Sequence, residues 1–122
     1  MKYINHNPSL KKTGDCVIRA IAGATGDTWE DTLDGLVRYA KKLHTSPTNK
    51  ECYQAYLIEE KGYKKNAMPK LRKGKRVTSK ELAQEVDAII QQANHLVFSE
   101  GGHVVDSWNS EERSVYTYYT KE

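Results

Sequence analysis

The first regular pattern in the sequence is an apolar stripe at helical spacing, just after an irregular arm over residues 1–14. Asp15 stands where an N-cap belongs, so Cys16 is expected to be the first residue of a short helix over about 16–24. Its apolar members recur at i, i+3, i+4 and i+7: Val17, Ala20, Ile21 and Ala24. The turn signal Thr25-Gly26 should end this helix.

Two more helices are predicted before the middle of the chain. Asp27 and Glu30 have the spacing of a capping box and open a second helix that ends near His44. Its apolar face holds Trp29, Leu33, Leu36, Val37, Ala40 and Leu43. A third helix over about 49–61, stopped by Gly62, is expected to bury Cys52, Tyr53, Tyr56 and Leu57.

The stretch that follows residue 77 admits two interpretations. Residues 78–81 form another capping box and open a helix. Helical periodicity alone carries this helix as far as Ala93, but a helix of two turns followed by a strand over about 88–93 fits the same residues.

The rest of the chain has the character of a sheet. Two β-rich runs, 95–99 and 103–108, flank Glu100-Gly101-Gly102 as a hairpin, and a further strand is expected over 114–120. Helices first and strands second predict one α+β domain over residues 1–122, with N-terminal helices packed on a C-terminal antiparallel sheet.

Composition narrows the class of protein. Hydrophobic residues make up 38% of the chain and charged residues 29%, as in globular domains. Neither a membrane-spanning run nor the apolar core of a signal peptide is visible, so no membrane contact is expected and the cytoplasm is the predicted compartment. Cys16 and Cys52 should stay free there. The four histidines have no metal-binding spacing, so no metal or other cofactor is expected.

Basic residues are concentrated in one segment. Residues 61–76 hold eight basic side chains and no acid, whereas the rest of the chain has 11 basic and 16 acidic residues. This basic segment is either a solvated connection or a contact for an acidic partner. Tyr63 is its only aromatic residue, and single-stranded nucleic acids are normally bound on several stacking side chains, so nucleic acid is not favoured as a partner.

Cys16 is the first candidate for chemistry. At the start of a helix, unpaired backbone N–H groups and the positive end of the helix dipole favour a thiolate, which is the reactive form of cysteine. The competing interpretation is a small apolar residue that seals the first turn. Cys52 and Trp29 lie on core-facing sides of their helices and are expected to be structural.

His95 and Asp106 stand on opposite arms of the predicted hairpin. Asp106 falls opposite His95 if the loop is Glu100-Gly101, and opposite Val97 if the loop is Gly101-Gly102. Because side chains alternate with period two, either register places His95 and Asp106 on one face and within reach of each other. His103 is three residues from Asp106 on the same strand and should face away.

Together these residues have the types that a thiol nucleophile requires. A thiolate needs a base to manage its proton, and the base needs a third group to fix its tautomer. Trp108, two residues beyond Asp106, is placed to shield the His95–Asp106 contact from water, although burial alone also explains a tryptophan there.

Three blocks of the sequence, over 7–21, 62–69 and 95–110, carry a resemblance. A cysteine that begins a helix, followed much later by a histidine and an acid on adjacent strands, is the papain-like order. The chain resembles a family of small proteins, found mainly in bacteriophages and prophages, that is similar to papain-like cysteine peptidases. The blocks around Cys16 and around His95 and Asp106 are the most specific parts.

The resemblance implies a papain-like fold and a set of roles. Cys16 becomes the nucleophile, His95 the base and Asp106 the orienting acid, and residues 88–93 become a strand. Papain-like enzymes usually place a glutamine shortly before the cysteine to complete the oxyanion hole, and none precedes Cys16 here. Asn7 is the candidate amide, with the Cys16 backbone N–H as second donor. Its rival is His6, and a turn-forming Asn-Pro is the structural alternative.

The function that the resemblance implies is a thiol hydrolase or acyl-transfer enzyme acting on a protein or peptide through a covalent Cys16 intermediate. The alternative is a catalytically silent papain-like fold that binds or inhibits a host factor, which the missing glutamine favours. A nucleic-acid-binding module built on the basic segment 61–76 is a third hypothesis.

Overall fold

The computed structural model describes residues 1–67 and 74–121 of the chain. Within them the protein is α+β, with four helices and one six-stranded mixed sheet. Among these residues, no helix combines the length and the apolar character that crossing a bilayer requires.

Three of the helices precede the basic segment. Helix α1 spans Cys16–Thr25 and ends at Gly26, whose φ of 79° lies in the left-handed region. Helix α2 spans Trp29–Leu43. Helix α3 spans Lys50–Ala55 and continues as a π-helical turn over Tyr56–Glu60. All three lie close to their predicted positions.

Helix α4, Ser79–Ala83, is short and begins with the predicted capping box. The Thr78 side chain accepts a hydrogen bond from the backbone of Glu81, and the Glu81 carboxylate accepts one from the backbone of Thr78. The chain then enters a strand instead of extending the helix, so the second of the two interpretations of this stretch is correct.

The strands form one open sheet in the order β1-β5-β4-β3-β6-β2. Their bounds are β1 Lys2–Tyr3, β2 Tyr63–Asn66, β3 Ile89–Gln92, β4 His95–Glu100, β5 His103–Asp106 and β6 Thr117–Lys121. Strand β1 runs parallel to β5, and the other neighbours are antiparallel. The sheet is therefore mixed, and it includes β1 from the N-terminal arm and β2 from the basic segment, so the predicted C-terminal antiparallel sheet is only part of it.

Apolar side chains on the two faces of the sheet form two clusters. Ile89, Leu96 and Phe98 pack with α1, α2 and α3, whereas Ile90, Val97 and Val104 pack with α4 and the segment before it. Helix α1 lies directly on β4, and Phe98 packs so near Gly23 that a Cβ there would lie 2.4 Å from its ring. This packing fixes where the first residue of α1 meets the sheet.

Several local predictions are wrong. The N-cap of α2 is Thr28, whose side chain accepts a hydrogen bond from Asp31, so Asp27 and Glu30 do not form a capping box. The N-terminal arm contains β1, because its backbone finds a free edge on β5. The last strand begins at Thr117 rather than at residue 114.

The basic segment 61–76 is not a simple connection. Tyr63–Asn66 is an edge strand paired with β6, and Lys61 forms an ion pair with Asp27 at 2.6 Å. Residues 68–73, which include three of its basic side chains, lie outside the described residues. An acidic partner for this segment stays a prediction.

Candidate active site

Cys16 is the first residue of α1, as its position after Asp15 predicts. Asp15 occupies the N-cap position, but its carboxylate makes no capping hydrogen bond. The first N–H groups of a helix have no intrahelical acceptor, so the Cys16 end of α1 keeps donors that point away from the helix. Cys16 is partly buried, and its thiol is free.

The hairpin brings His95 and Asp106 into contact. The register pairs Phe98 with Val105 around a Gly101-Gly102 turn, which sets Asp106 diagonally across from His95 on the same face. His95 Nε2 lies 2.7 Å from Asp106 Oδ2. A carboxylate is only an acceptor, so Nε2 carries the proton of this hydrogen bond. The contact that strand parity predicts is present.

Nδ1 is the imidazole nitrogen that remains for Cys16. Burial acts to raise the pKa of the Cys16 thiol, but hydrogen bonds from the His95 side chain and the Leu96 backbone, with the charges of His95 and Arg19, hold that pKa below its usual value. Burial likewise acts to lower the pKa of His95, but hydrogen bonds with Asp106 and Cys16 raise it to about 9. Both shifts act in the same direction, because each favours the ion pair of thiolate and imidazolium over the neutral pair.

Asp106 is held from several sides. Ser110 donates its hydroxyl to Oδ2 at 2.7 Å, and the Ser107 backbone N–H donates to Oδ1 at 2.7 Å. Arg19 Nη1 lies 3.3 Å from Oδ1. Burial acts to raise the pKa of Asp106, but the hydrogen bonds from His95, Ser110 and Ser107 keep it below its ordinary value. The carboxylate is thus ionised and oriented toward His95.

Arg19 links this carboxylate to the start of the cysteine helix. Its Nε donates to Asp15 Oδ1 at 2.7 Å, and its Nη1 donates to the Ser107 hydroxyl at 2.8 Å. Trp29 Nε1 also donates to Asp15, at 3.0 Å. Sequence reasoning missed Arg19, Ser107, Ser110 and this role of Trp29. The i, i+4 spacing of Asp15 and Arg19, next to Cys16, was the available signal.

The side-chain amide of Asn7, the candidate oxyanion donor, is hydrogen-bonded within the protein. Its Nδ2 donates to Asp15 Oδ2 at 2.9 Å, and its Oδ1 accepts the Ser9 backbone N–H at 2.9 Å. These contacts correspond to the turn-forming alternative, because the amide folds the arm back onto the N-terminus of α1. The rival, His6, packs its ring on Phe98, with 5.5 Å between ring centroids.

The other three candidates, Trp108, His103 and Cys52, differ in exposure and in whether they contact His95. Trp108 places its ring 4.9 Å from the His95 ring centroid to centroid, where it covers one side of the imidazole while remaining 43% exposed itself. His103 is exposed, as the parity argument predicts. Cys52 is fully buried, and burial, with the nearby Glu51 charge, raises the pKa of its thiol. Cys52 is therefore a core residue.

Two open clefts share Gly14, which precedes Cys16 by two residues. The first, of about 320 Å³, is called here the Lys50 cleft and is lined in part by Gly14, Cys16, Thr48, Lys50, Asn94 and His95. The second, of about 500 Å³, is called the Lys11 cleft and is lined by Lys11, Lys12, Thr13, Gly14, Arg19, Ser107 and Trp108. Cys16 lines the first cleft and Gly14 lines both, so an extended chain that runs from one cleft to the other passes the start of α1.

Comparison with known protein families, with characterised proteins and with solved structures found no match to this chain. Among the described residues, no group of three or more His, Cys, Asp or Glu side chains is arranged to hold a metal ion. The assignment of the site is therefore based on the contacts between Cys16, His95 and Asp106.

Replacing Arg19 with Gln is expected to lower the free energy of unfolding by about 1–3 kcal/mol, because two buried carboxylates, Asp15 and Asp106, lose a charged donor. Arg38→Gln is the matched control, since Arg38 forms an ion pair with Glu60 on the surface, and it should change stability little. Urea unfolding measures both variants. Equal losses in the two variants would contradict the special role of Arg19.

Proposed function

We propose that the protein is a papain-like thiol hydrolase or acyl-transfer enzyme that cleaves an amide or thioester through a covalent Cys16 intermediate. One observation carries the proposal: a buried carboxylate, Asp106, holds Nε2 of His95 at 2.7 Å, and the same imidazole lowers the pKa of Cys16. A nucleophile, a base and an orienting acid in contact form a nucleophilic unit that packing alone does not require.

In the proposed first step, Cys16 Sγ attacks the carbonyl carbon of the substrate. An S–C bond forms, and the carbonyl electron pair moves onto the oxygen, where the free N–H groups at the start of α1 can donate to it. When the C–N bond breaks, the imidazolium of His95 gives its Nδ1 proton to the leaving nitrogen. An amine departs, and a thioester to Cys16 remains.

In the second step, water or another acceptor nucleophile attacks the thioester. Neutral His95 takes the proton of the attacking group at Nδ1, the S–C bond breaks, and the electron pair returns to sulfur. This restores the thiolate and the imidazolium. Asp106 stays ionised throughout and keeps the Nε2–H in place, which fixes the tautomer that both proton transfers need.

The resemblance to small phage and prophage proteins agrees with this proposal in one respect. The order along the chain is a cysteine at a helix start, then a histidine and an acid on adjacent antiparallel strands. Both cysteines are free thiols, which suits the cytoplasm as the proposed compartment. A peptide or protein substrate is proposed because the two clefts offer an extended chain a path across Cys16.

Alkylation by iodoacetamide tests the proposal directly. Cys16 is expected to react with a rate that stays high well below pH 7, since the pKa of a thiol at a helix start beside an imidazolium falls from about 8.5 toward 3.5–7.5. Cys52 should react only on unfolding, because it is fully buried. Intact mass and peptide mapping follow both sites. Equal rates at the two cysteines, or a Cys16 rate that rises only above pH 8, would refute a thiolate nucleophile.

The alternative is a papain-like fold that binds a host factor without turnover. The contacts of Asn7 favour it, because that amide is bound to Asp15 and no glutamine precedes Cys16. The two functions differ in one readout: a hydrolase is trapped as an acyl-enzyme by an activated ester of a peptide and then regenerates free Cys16. A binding protein would be acylated slowly and would not turn over.

A further inference from the structure

The surface around the proposed nucleophile is basic on both sides. Lys11 and Lys12 line the Lys11 cleft, and Lys50 lines the Lys50 cleft. Among the described residues that line either cleft, none is an aspartate or a glutamate. None of these three lysines has an ion pair with a described carboxylate, so their charges are available to a ligand.

This concentration differs from the rest of the molecule. Outside the basic segment 61–76 the chain has 16 acidic and only 11 basic residues, so most of the surface has a negative balance. The two buried acids beside the site each have a cationic partner inside the protein: Asp15 binds Arg19, and Asp106 binds both Arg19 and His95. Positive potential in a cleft raises the local concentration and the association rate of anionic ligands.

We propose that the substrate is an acidic polypeptide segment, with carboxylate side chains on both sides of the acyl group that Cys16 attacks. The inference rests on the proposed function and specifies its substrate class. A glutamate or aspartate side chain before or after the scissile bond finds Lys11 and Lys12 in one cleft and Lys50 in the other. The exposed part of Trp108, which lies between His95 and Arg113, gives the methylene groups of such a side chain an apolar surface in the Lys11 cleft.

An acidic peptide fits the site better than a nucleic acid. A nucleic acid also carries negative charge, but it contains no amide or thioester in its backbone for a thiolate to cleave. Among the described residues, Trp108 is the only tryptophan, tyrosine or phenylalanine that lines the Lys11 cleft, and His95 packs against its ring. Tyr53 lines the Lys50 cleft but is buried. Strand binding normally requires several stacking platforms.

Two reagents that differ in charge test the inference. Iodoacetate is an anion and iodoacetamide is neutral, and both alkylate thiolates, so the ratio of their rates at Cys16 reports the local potential. In the triple variant Lys11→Gln, Lys12→Gln, Lys50→Gln the ratio of the iodoacetate rate to the iodoacetamide rate is expected to fall by a factor on the order of 10 at low salt. The control variant Lys41→Gln, Lys64→Gln, Lys65→Gln removes the same charge from exposed positions that line neither cleft, and it should leave the ratio near the wild-type value.

A pair of peptides tests the polypeptide class. Acetylated, amidated tetraglutamate should slow iodoacetamide alkylation of Cys16 at low salt, tetraglutamine should not, and the protection should disappear in the cleft variant. Equal effects of the two peptides, or an equal fall of the rate ratio in both triple variants, would overturn the inference. Protection by a single-stranded oligonucleotide but not by tetraglutamate would overturn it in favour of a nucleic-acid ligand. The proposed function fails separately, through a slow iodoacetamide rate at neutral pH.

Discussion

Replacing Asp106 with Asn is expected to slow alkylation of Cys16 at pH 6 by on the order of a hundredfold, because the thiol returns toward the protonated form of an ordinary cysteine. Burial of His95 acts to lower its pKa, and the hydrogen bond with Asp106 is the largest influence that raises it to about 9. An asparagine cannot hold the imidazolium in this way. The charged partner that lowers the pKa of the Cys16 thiol is then lost near neutral pH.

The pH dependence of stability follows from the same group. His95 has an ordinary pKa of 6.5 when unfolded and a pKa of about 9 when folded, so the folded state binds its proton more tightly. This contribution is complete below pH 6.5 and is lost as the pH rises through 9. In Asp106→Asn the pH range over which stability depends on His95 should become narrower, because the pKa of folded His95 falls toward 6.5. NMR titration of the His95 ring should show this lower pKa.

The stability of Asp106→Asn should also fall, by about 1–3 kcal/mol, because Arg19 and Ser110 lose an ionised acceptor in a buried position. Asp34→Asn is the matched control, since Asp34 is exposed on α2 and the same charge is removed. Urea unfolding and alkylation are measured on both variants. A normal Cys16 profile in a folded Asp106→Asn protein would show that the carboxylate does not act through His95.

The contact between His95 and Asp106 could be predicted because it depends on parity alone. Side chains alternate strictly along a strand, so either two-residue turn places His95 and Asp106 on the same face. The observed turn, Gly101-Gly102, is one of these two. The position of Cys16 could be predicted for a similar reason, since helix starts carry local signals. The papain-like fold itself remains part of the proposal.

Contacts between distant segments could not be predicted in this way. Arg19 reaches Asp106 across 87 positions of sequence, and only the packing of α1 on β4 brings the two together. The sequence pattern does not predict strand β1, because Lys2 and Tyr3 are exposed and show no apolar alternation. Its pairing with β5 is made by backbone groups, which every sequence contains.

Strand β3 shows the limit of periodicity as a guide. Ile89 belongs to the cluster under α1, and its neighbour Ile90 belongs to the cluster on the other face. A strand that is buried on both faces has a continuous apolar run and no alternation, so its pattern resembles that of a buried helix. The resemblance to the phage family implied the strand here, and the residues alone left the question open.

Replacing Gly23 with Ala tests how the position of α1 affects the reactivity of Cys16 when every residue of the site is unchanged. A Cβ at Gly23 would lie 2.4 Å from Cε1 of Phe98, which is far inside van der Waals contact. Overpacking of this kind costs about 1–3 kcal/mol, and the better helix propensity of alanine returns at most about 1 kcal/mol. The net result is a less stable protein in which α1 shifts away from β4.

That shift should reach the site, because Cys16 is on α1 while His95 begins β4. The alkylation rate of Cys16 at pH 6 is expected to fall severalfold in folded Gly23→Ala, although no site residue has changed. Gly35→Ala is the matched control: its Cβ would lie 2.4 Å from Cε1 of Tyr56, but this clash is between α2 and the π-helical turn that follows α3. It should cost comparable stability in urea unfolding and keep the wild-type profile of Cys16. Gly23→Ala could also be destabilised while Cys16 keeps its full reactivity at pH 6. That result would show that the packing of α1 on β4 does not set the distance between the Cys16 thiol and the His95 imidazole.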